Sequence, residues 1–314
     1  MQEGISIMKT VFVDGSAGTT GLRIASRLST RSDIQFITLP EEKRKDPQAR
    51  REALNAADIA FLCLPDDAAR EAAAMVDNPK TVLIDTSTAH RVHPDWVYGM
   101  PELPGQRERI ASAKRIANPG CHASGYILLV APLVAAGILG ADSALSCISL
   151  TGYSGGGKKM IADYEADARD PLLDAPRQYG LSQHHKHVPE MVKYSGLSAS
   201  PVFSPIVAPY YSGMQVIVPL TAAQTTASVE DILAVYRQAY PGPVVRTDAA
   251  DEAGFLSAGA MAGRDDALVG VWGEPGHLTL VARYDNLGKG ASGAAIQNMN
   301  TAMDVDECEG LVIG

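Results

Sequence analysis

Short apolar runs alternate with amphipathic segments in the first third of the chain. Runs rich in Val, Ile and Phe predict buried strands at residues 9–14, 34–39, 58–64 and 81–85. Between them, helical periodicity predicts helices at residues 22–29, within 41–55 and at 67–75. Alternation of strands and helices is typical of a parallel sheet with right-handed crossovers. The chain is therefore predicted to begin with a Rossmann-type α/β domain.

The pattern changes after Cys121. Residues 122–136 form an apolar helical stretch that Pro132 interrupts. Longer, more alternating runs predict strands at residues 143–151, 198–209, 214–220, 267–272 and 278–284, with helical segments only at 229–239 and near 158–168. This mixture predicts an α+β domain built on a mixed or antiparallel sheet.

These patterns divide the chain into two domains. Residues 1–118 are predicted to form the Rossmann-type domain, and residues 119–285 the α+β catalytic domain. A last helical segment within 286–314 is predicted to return to the first domain and complete it. A length of 314 residues suits two domains, and 46% hydrophobic with 20% charged residues is an ordinary globular composition.

Charge and cysteine spacing exclude several classes of function. A net charge of -9 argues against nucleic acid as a partner. No apolar run reaches the ~18 residues of a membrane-spanning helix, and residues 1–7 contain Glu3 and lack the apolar core of a signal peptide. Four widely separated cysteines suit neither a disulfide framework nor a zinc site. We therefore expect a cytoplasmic protein without membrane or nucleic-acid partners.

A glycine-rich turn follows the first predicted strand and opens the first predicted helix. Such glycines let the backbone approach a pyrophosphate, and the helix N-terminus supplies N–H groups and a positive dipole. A plain turn is the alternative. We predict a dinucleotide site made by Gly15, Ser16, Ala17, Gly18, Thr19, Thr20 and Gly21.

The second predicted strand indicates which dinucleotide is bound. An NAD enzyme usually presents an acidic residue to the ribose there, whereas this chain carries Lys43, Arg44 and Lys45 close by. Cations suit the 2′-phosphate of NADP, although Glu41 and Glu42 stand beside them. NADP is the predicted cofactor; a solvated helix face is the alternative reading of the cluster.

Cys121 is the predicted nucleophile. The sequence Asn118-Pro119-Gly120 makes a tight turn, so Cys121 stands at the start of an apolar helix. The helix dipole favours the thiolate and hence nucleophilic attack. Cys63 and Cys147 lie inside apolar strands and are predicted to be structural.

Three histidines lie between Gln183 and Glu190. If this segment is extended, His185 and His187 point to the same face and reach one pocket. His187 is predicted to be the acid/base group and His185 a substrate contact, although the two roles could be exchanged. A metal site is the rival interpretation, but no carboxylate or cysteine at ligand spacing accompanies them, so no metal is expected. A solvated loop is the other alternative.

Several polar residues are further candidates. Arg91 follows the strand at residues 81–85, and its planar fork could clamp a phosphate, hold the substrate carboxylate or simply face solvent. The remaining candidates lie in turns after predicted strands, where ligands bind in α/β sheets. For substrate they are Asn118, Ser154 and Lys158, and for the cofactor Ser87, Gly155, Asn286 and Gly288.

Together these segments resemble the N-acetyl-gamma-glutamyl-phosphate reductase family, in its shorter form. The matching segments follow the family's order across most of the chain: residues 15–21, 85–91, 96–103, 118–121, 154–158, 185–190 and 285–300. The NPGC turn, the HxHxPE segment and the DNLxKGAxG-like segment are far more specific together than singly. The last departs slightly from the family pattern at Ser292.

The resemblance implies NADPH-dependent reduction of N-acetyl-L-glutamyl 5-phosphate to the 5-semialdehyde, a step in arginine biosynthesis. It also implies a cytoplasmic homodimer or homotetramer whose second domain is catalytic and mediates dimerisation. Cys121 would attack the acyl phosphate to give a thioester, which accepts a hydride more readily than a carboxylate does. His187 would manage the proton as the resulting thiohemiacetal collapses to the aldehyde.

Three alternatives remain open from the sequence. One is a related reductase of another acyl phosphate, such as aspartyl phosphate or a carrier-linked aminoadipyl phosphate. Another is a cysteine hydrolase or transferase on the same fold. The third is a non-catalytic regulator that binds NADP. Fold alone does not separate them.

Overall fold

Two sheets, one parallel and one mixed, organise the chain into two units. The computed structural model describes residues 8–247 and 250–314, so the expectation for residues 1–7 lies outside it. The first unit runs to Pro101 and adds Gly105–Asn118 and Ala295–Leu311. The second consists of Glu102–Pro104, Pro119–Ala294 and Val312–Gly314.

The first unit is built on a six-stranded parallel sheet of order β2-β1-β3-β4-β6-β5. Its strands are β1 (Lys9–Asp14), β2 (Ile34–Ile37), β3 (Ile59–Leu62), β4 (Val82–Asp85), β5 (Val97–Tyr98) and β6 (Arg115–Ala117). Its first helices are α1 (Thr19–Leu28), α2 (Pro47–Ala56), α3 (Asp66–Ala74) and α4 (Gln106–Ser112). Strands β3 and β4 are buried throughout, as expected for a sheet covered on both faces.

A C-terminal helix, α9 (Gly293–Met303), contributes to one of the two cores of this unit. Ile296 and Met299 pack with Val11 and Phe61 on one face of the sheet. The segment that completes the first domain was predicted to lie within residues 286–314, whereas the first unit includes the chain only from Ala295. The reason is local, because Asn286, Leu287 and Gly288 hydrogen-bond within the second unit.

The second unit is built on a seven-stranded sheet of order β11-β12-β13-β10-β7-β9-β8. Its strands are β7 (Ser146–Gly152), β8 (Arg177–Gln178), β9 (Val202–Ala208), β10 (Met214–Thr221), β11 (Val245–Thr247), β12 (Ala267–Glu274) and β13 (His277–Tyr284). Its helices are α5 (Cys121–Ala135), α6 (Gly157–Glu165), α7 (Val188–Ser195) and α8 (Val229–Ala239). The pairs β7/β9 and β11/β12 are parallel and the others antiparallel, so the sheet is mixed.

The histidine segment is not extended, which was the condition for His185 and His187 to point to the same face. His187 has helical backbone angles and is the residue before α7, so the segment is a turn that enters a helix. Pro189 is compatible with this because proline suits the first turn of a helix, where its missing N–H costs nothing. Within the described residues, no helix is both long and apolar enough to cross a membrane.

Helix α5 contains a proline, and a tyrosine hydroxyl compensates for it. Pro132 has no N–H, so the carbonyl of Leu128 loses its usual helical donor. The hydroxyl of Tyr240 donates to that carbonyl at 2.7 Å. The neighbouring Tyr236 donates to the carbonyl of Leu129 at 2.8 Å. The helix therefore continues past Pro132 with its freed carbonyl satisfied.

We expect Tyr240→Phe to lower the free energy of unfolding by about 1–3 kcal/mol, because it leaves a buried carbonyl without a donor. In a Pro132→Ala background, residue 132 can itself donate to Leu128, so the same substitution should cost less. Urea unfolding of the four proteins in this cycle measures both costs. Equal costs in both backgrounds would contradict the link between Tyr240 and Pro132.

Candidate active site

Cys121 is the first residue of α5 and is partly exposed. Its thiol therefore stands at the positive end of the helix dipole, as the sequence predicted. The N–H of Gly120, the residue before it, donates to Oε2 of Glu190 at 3.0 Å. Glu190 is 1% exposed, so its carboxylate is a fixed acceptor inside the protein. The backbone that precedes the thiol is thus held from α7.

The fold brings His187 to Cys121. A ring nitrogen of His187, a ring nitrogen of His122 and Sγ of Cys121 all lie within 4.8 Å of one another. The ring centroid of His185 lies 4.8 Å from that of His187, and Nδ1 of His185 accepts a hydrogen bond from the backbone N–H of His187 at 3.2 Å. This arrangement favours His187 over His185 as the proton-transfer partner of the thiol. Both assignments stay predictions.

His122 is a member of the site that the sequence interpretation missed. Its Nδ1 lies 2.7 Å from Oγ of Ser149, and its Nε2 lies 2.7 Å from the hydroxyl of Tyr179. Burial lowers the pKa of His122 to about 3, and the positive charges of His185 and Lys186 act in the same direction. His122 is therefore neutral at physiological pH and acts as a hydrogen-bonding group. Its position directly after Cys121 was the available signal.

Gln183 fixes the loop that carries the histidines. Its side-chain amide donates to the carbonyl of Phe203 and accepts the N–H of Phe203, both at 2.9 Å. Its φ of 63° is unusual for a residue with a side chain, and such conformations cluster at functional sites.

The rings around Cys121 form one cluster, in which ring centroids lie 4.8–6.1 Å apart. Its members are His122, Tyr179, His185, His187 and Phe203.

The same three atoms are also of the kind that bind zinc. No cysteine lies at ligand spacing from the histidine segment in the sequence, but the fold brings Cys121 close to His187. Both ring nitrogens of His122 are already engaged with Ser149 and Tyr179. That leaves Cys121 and His187, fewer than the three or four protein ligands of a usual zinc site. The geometry suits a nucleophile and base better than a metal centre.

In the first unit, the glycine-rich turn has the shape that a pyrophosphate needs. Gly15 has a φ of +85°, and a Cβ there would lie 2.2 Å from the carbonyl oxygen of Cys63. A Cβ on Gly21 would lie 2.6 Å from the carbonyl oxygen of Gly15. Helix α1 starts at Thr19, directly after Gly18. Only glycine fits this close approach of strand, turn and helix, which is the geometry of a dinucleotide fingerprint.

The basic residues near this turn separate into two groups. Arg50 pairs with Asp14 at 2.8 Å, and Arg51 pairs with Asp77. Lys43 ends a short 3-10 helix, Arg44 follows it, and both are exposed together with Lys45. The predicted 2′-phosphate contacts therefore lie on cations that face solvent.

Arg91 donates to two backbone carbonyls of the first unit. Its guanidinium is buried and donates to the backbone carbonyls of Asn118 at 2.9 Å and Thr86 at 3.0 Å. The Asn118 side chain accepts from Asn298, and the Ser87 hydroxyl donates to Asp85. These contacts give Arg91 a structural role in fixing the turn before Cys121, and its predicted ligand contact stays untested.

The other predicted residues join two loops of the second unit. The amide of Asn286 donates to Oγ of Ser154 at 3.0 Å and accepts from the N–H of Gly213 at 3.0 Å. A Cβ on Gly288 would lie 1.8 Å from the carbonyl oxygen of Arg264, so this glycine is required by packing. Gly155 and Lys158 are exposed, and their ligand contacts stay predictions.

Comparison with known proteins agrees with this geometry. The family "Semialdehyde dehydrogenase, NAD binding domain" matches residues 10–113, and "Semialdehyde dehydrogenase, dimerisation domain" matches residues 121–286. N-acetyl-gamma-glutamyl-phosphate reductase 2 of Pseudomonas putida is 46% identical over 96% of this chain and 98% of its own. The N-acetyl-gamma-glutamyl-phosphate reductase of Brucella anthropi is 48% identical over 92% and 97%. The chain belongs to the N-acetyl-gamma-glutamyl-phosphate reductase family.

Solved structures show the same fold. Aspartate semialdehyde dehydrogenase II of Vibrio cholerae superposes with a TM-score of 0.70 at 16% identity, covering 95% of this chain and 98% of that one. The enzyme of Candida albicans, solved with NADP, gives 0.68 at 17% identity over 95% and 99%. The predicted fold class, the nucleotide-binding first domain and the resemblance to the reductase family are thereby confirmed, and the second domain is a dimerisation domain.

We expect iodoacetamide to label Cys121 of this family member well before Cys63 or Cys147. Burial raises the pKa of the Cys63 thiol to about 12 and also raises the pKa of Cys147, and the reactive form is the thiolate. Mass spectrometry of cysteine peptides over a time course at neutral pH measures the order of labelling. Labelling of Cys63 as fast as Cys121 would contradict the assignment.

Proposed function

We propose that this chain reduces N-acetyl-L-glutamyl 5-phosphate to N-acetyl-L-glutamate 5-semialdehyde with NADPH, in arginine biosynthesis. The observation that carries the proposal is the Cys121 thiol at the start of α5, with a His187 nitrogen within 4.8 Å. The names of relatives that are 46–48% identical support the substrate. The cytoplasmic location inferred from the cysteine spacing stays a prediction.

The first chemical step is acyl transfer to Cys121. The thiol proton passes to His187, and Sγ attacks the C5 carbonyl carbon of the acyl phosphate. The bond between C5 and the phosphate oxygen breaks, and phosphate leaves with its electron pair. The product is a thioester on Cys121. The dipole of α5 favours the thiolate that attacks.

The second step is reduction of the thioester. NADPH, when bound, would supply the hydride to the thioester carbon. The thiohemiacetal alkoxide that results, bonded through its carbon to Sγ of Cys121, then re-forms the carbonyl, and the bond between carbon and Sγ breaks. His187 returns its proton to the departing thiolate, which restores the free thiol. His122 is neutral and stays hydrogen-bonded to Ser149 and Tyr179, so it does not take the proton.

The decisive experiment compares Cys121→Ser with wild type in both reaction directions. The variant should lose activity by on the order of a thousandfold or more, because a hydroxyl does not ionise as a thiol does. NADPH binding, followed by fluorescence titration, should stay near wild type. Cys63→Ser is the matched control and should keep its activity, because Cys63 is predicted to be structural.

A panel of acyl phosphates separates the alternatives. N-acetylglutamyl phosphate should give the highest kcat/KM, measured by NADPH oxidation. A higher kcat/KM for aspartyl phosphate would indicate that the chain is a reductase of that acyl phosphate instead. Loss of acyl phosphate without NADPH oxidation would indicate a hydrolase or transferase. In the reverse direction, semialdehyde, NADP and phosphate should together yield NADPH.

We infer that the 2′-phosphate of NADP is recognised by the exposed cations after β2. Replacing Lys43, Arg44 and Lys45 together by alanine should weaken NADPH binding by roughly tenfold and change NADH binding much less, because only NADPH carries the extra phosphate. Arg51→Ala is the control, since Arg51 pairs with Asp77. Equal weakening of NADPH binding and NADH binding would show that these three cations are solvated surface residues without a contact to the 2′-phosphate.

We propose that the second unit forms a homodimer through the open face of its sheet. Helices α5 and α8 contact one face, at β10, β12 and β13. Alternate residues on the opposite face are apolar and only half-buried: Ile148, Leu150, Ile206, Ile217, Leu268 and Trp272. Ile217 stands opposite Ile148 in neighbouring strands, so these side chains form one surface. The match to a dimerisation domain supports a second copy as the occupant.

Ile217→Arg should convert the dimer to a monomer, because it would place a charge in the middle of the apolar interface. Light scattering coupled to size-exclusion chromatography measures the mass. Leu172→Arg is the control, because Leu172 is 69% exposed and lies outside this face. An unchanged mass for Ile217→Arg would exclude the face, and a wild-type mass of four subunits would show that a second interface exists.

A further inference from the structure

A tyrosine hydroxyl lies in the first turn of the helix that carries Cys121. Tyr284, the last residue of β13, accepts the N–H of Gly125 at 3.0 Å. The same hydroxyl donates to the carbonyl of Cys121 at 2.5 Å. These are the two groups that an α-helix pairs with each other, four residues apart. Tyr284 therefore bridges the first turn at the residue that bears the thiol.

The surrounding residues are shaped for this close approach. A Cβ on Gly125 would lie 2.6 Å from the Tyr284 hydroxyl and 2.6 Å from Cγ2 of Val216. A Cβ on Gly290 would lie 3.0 Å from Cβ of Cys121. Gly290 belongs to a π-helical turn at Gly288–Ser292, a geometry that is often found at functional sites. The start of α5 is thus seated directly on the end of β13 and the turn that follows it.

The Tyr284 hydroxyl keeps its proton. Burial raises the pKa of this phenol well above its ordinary value, and the neighbouring Cys121 raises it further. The phenol thus remains available as the donor to the Cys121 carbonyl.

Two other tyrosines bond to carbonyls of the same helix, and they show what an ordinary structural contact looks like. Tyr240 and Tyr236 donate to Leu128 and Leu129, close to Pro132 and two turns away from the thiol. Pro132 explains the need for the Tyr240 contact, as described above. No proline frees the carbonyl of Cys121, because residue 125 is a glycine with its own N–H.

We propose that Tyr284 is a positioning residue for the nucleophile, whose hydroxyl fixes the first turn of α5 so that the Cys121 thiol stays beside His187. The inference rests on the proposed function in one respect, that Cys121 is the nucleophile. Its physical basis is that reacting groups must be held closely, since a displacement of ~1 Å can cost about a hundredfold in rate.

The test is Tyr284→Phe in the full-length protein, with Tyr240→Phe as the matched control. Both variants remove one phenol hydroxyl that donates to a carbonyl of α5. Tyr284→Phe should lower kcat by about tenfold or more with little change in KM. It should also move the pH midpoint of Cys121 alkylation by iodoacetamide upward, because a displaced thiol gains less from His187. Tyr240→Phe should cost stability but leave both measurements at wild-type values.

Two results would overturn the proposal. One is a wild-type kcat and alkylation midpoint in Tyr284→Phe, and the other is an equal shift in Tyr240→Phe, which would indicate general loosening of α5. Alkylation needs no substrate, so the pH midpoint of alkylation tests the role of Tyr284 even if the proposed reaction is not observed. If Tyr284→Phe does not fold, Gly125→Ala serves instead. Its methyl group displaces the hydroxyl, so the midpoint should again rise, and an unchanged midpoint would refute the role.

Discussion

The hydrogen bond between Glu190 and Gly120 is the contact on which the site depends. It joins the start of α5 to α7, and α7 also begins directly after His187. One short helix therefore follows His187 directly and anchors the backbone before Cys121. Because Glu190 is buried, water does not compete for its carboxylate, and the bond is stronger than an exposed one. Helix α7 thus links the backbone positions of His187 and Cys121.

The features that could be predicted from the sequence were local. β1, α8 and the glycine turn at Gly15 follow from periodicity and from the conformations that glycine allows, and Cys121 could be assigned to a helix start from the turn before it. The contacts that complete the site are between distant residues. Glu190 and Gly120 are 70 positions apart, and Tyr284 and Cys121 are 163 apart, so no spacing rule connects them.

Two parts of the candidate site also serve the backbone. The Arg91 guanidinium donates to the carbonyls of Asn118 and Thr86, and the histidine segment turns into a helix that begins at Val188. Buried backbone groups must be paired, so a buried polar side chain often serves the chain itself before it serves a ligand.

The Gln183 contact has a consequence for the sheet as a whole. Strand β8 has only two residues and pairs with Ile206 and Val207, and the N–H of Tyr179 just after it donates to the carbonyl of Pro205, so Phe203 lies beyond the end of this pairing. There the Gln183 amide occupies both the N–H and the carbonyl of Phe203. An open strand edge is a template for pairing with strands of other molecules, which leads to aggregation. The loop that carries the histidines thereby pairs backbone groups of that edge that another strand could otherwise bind.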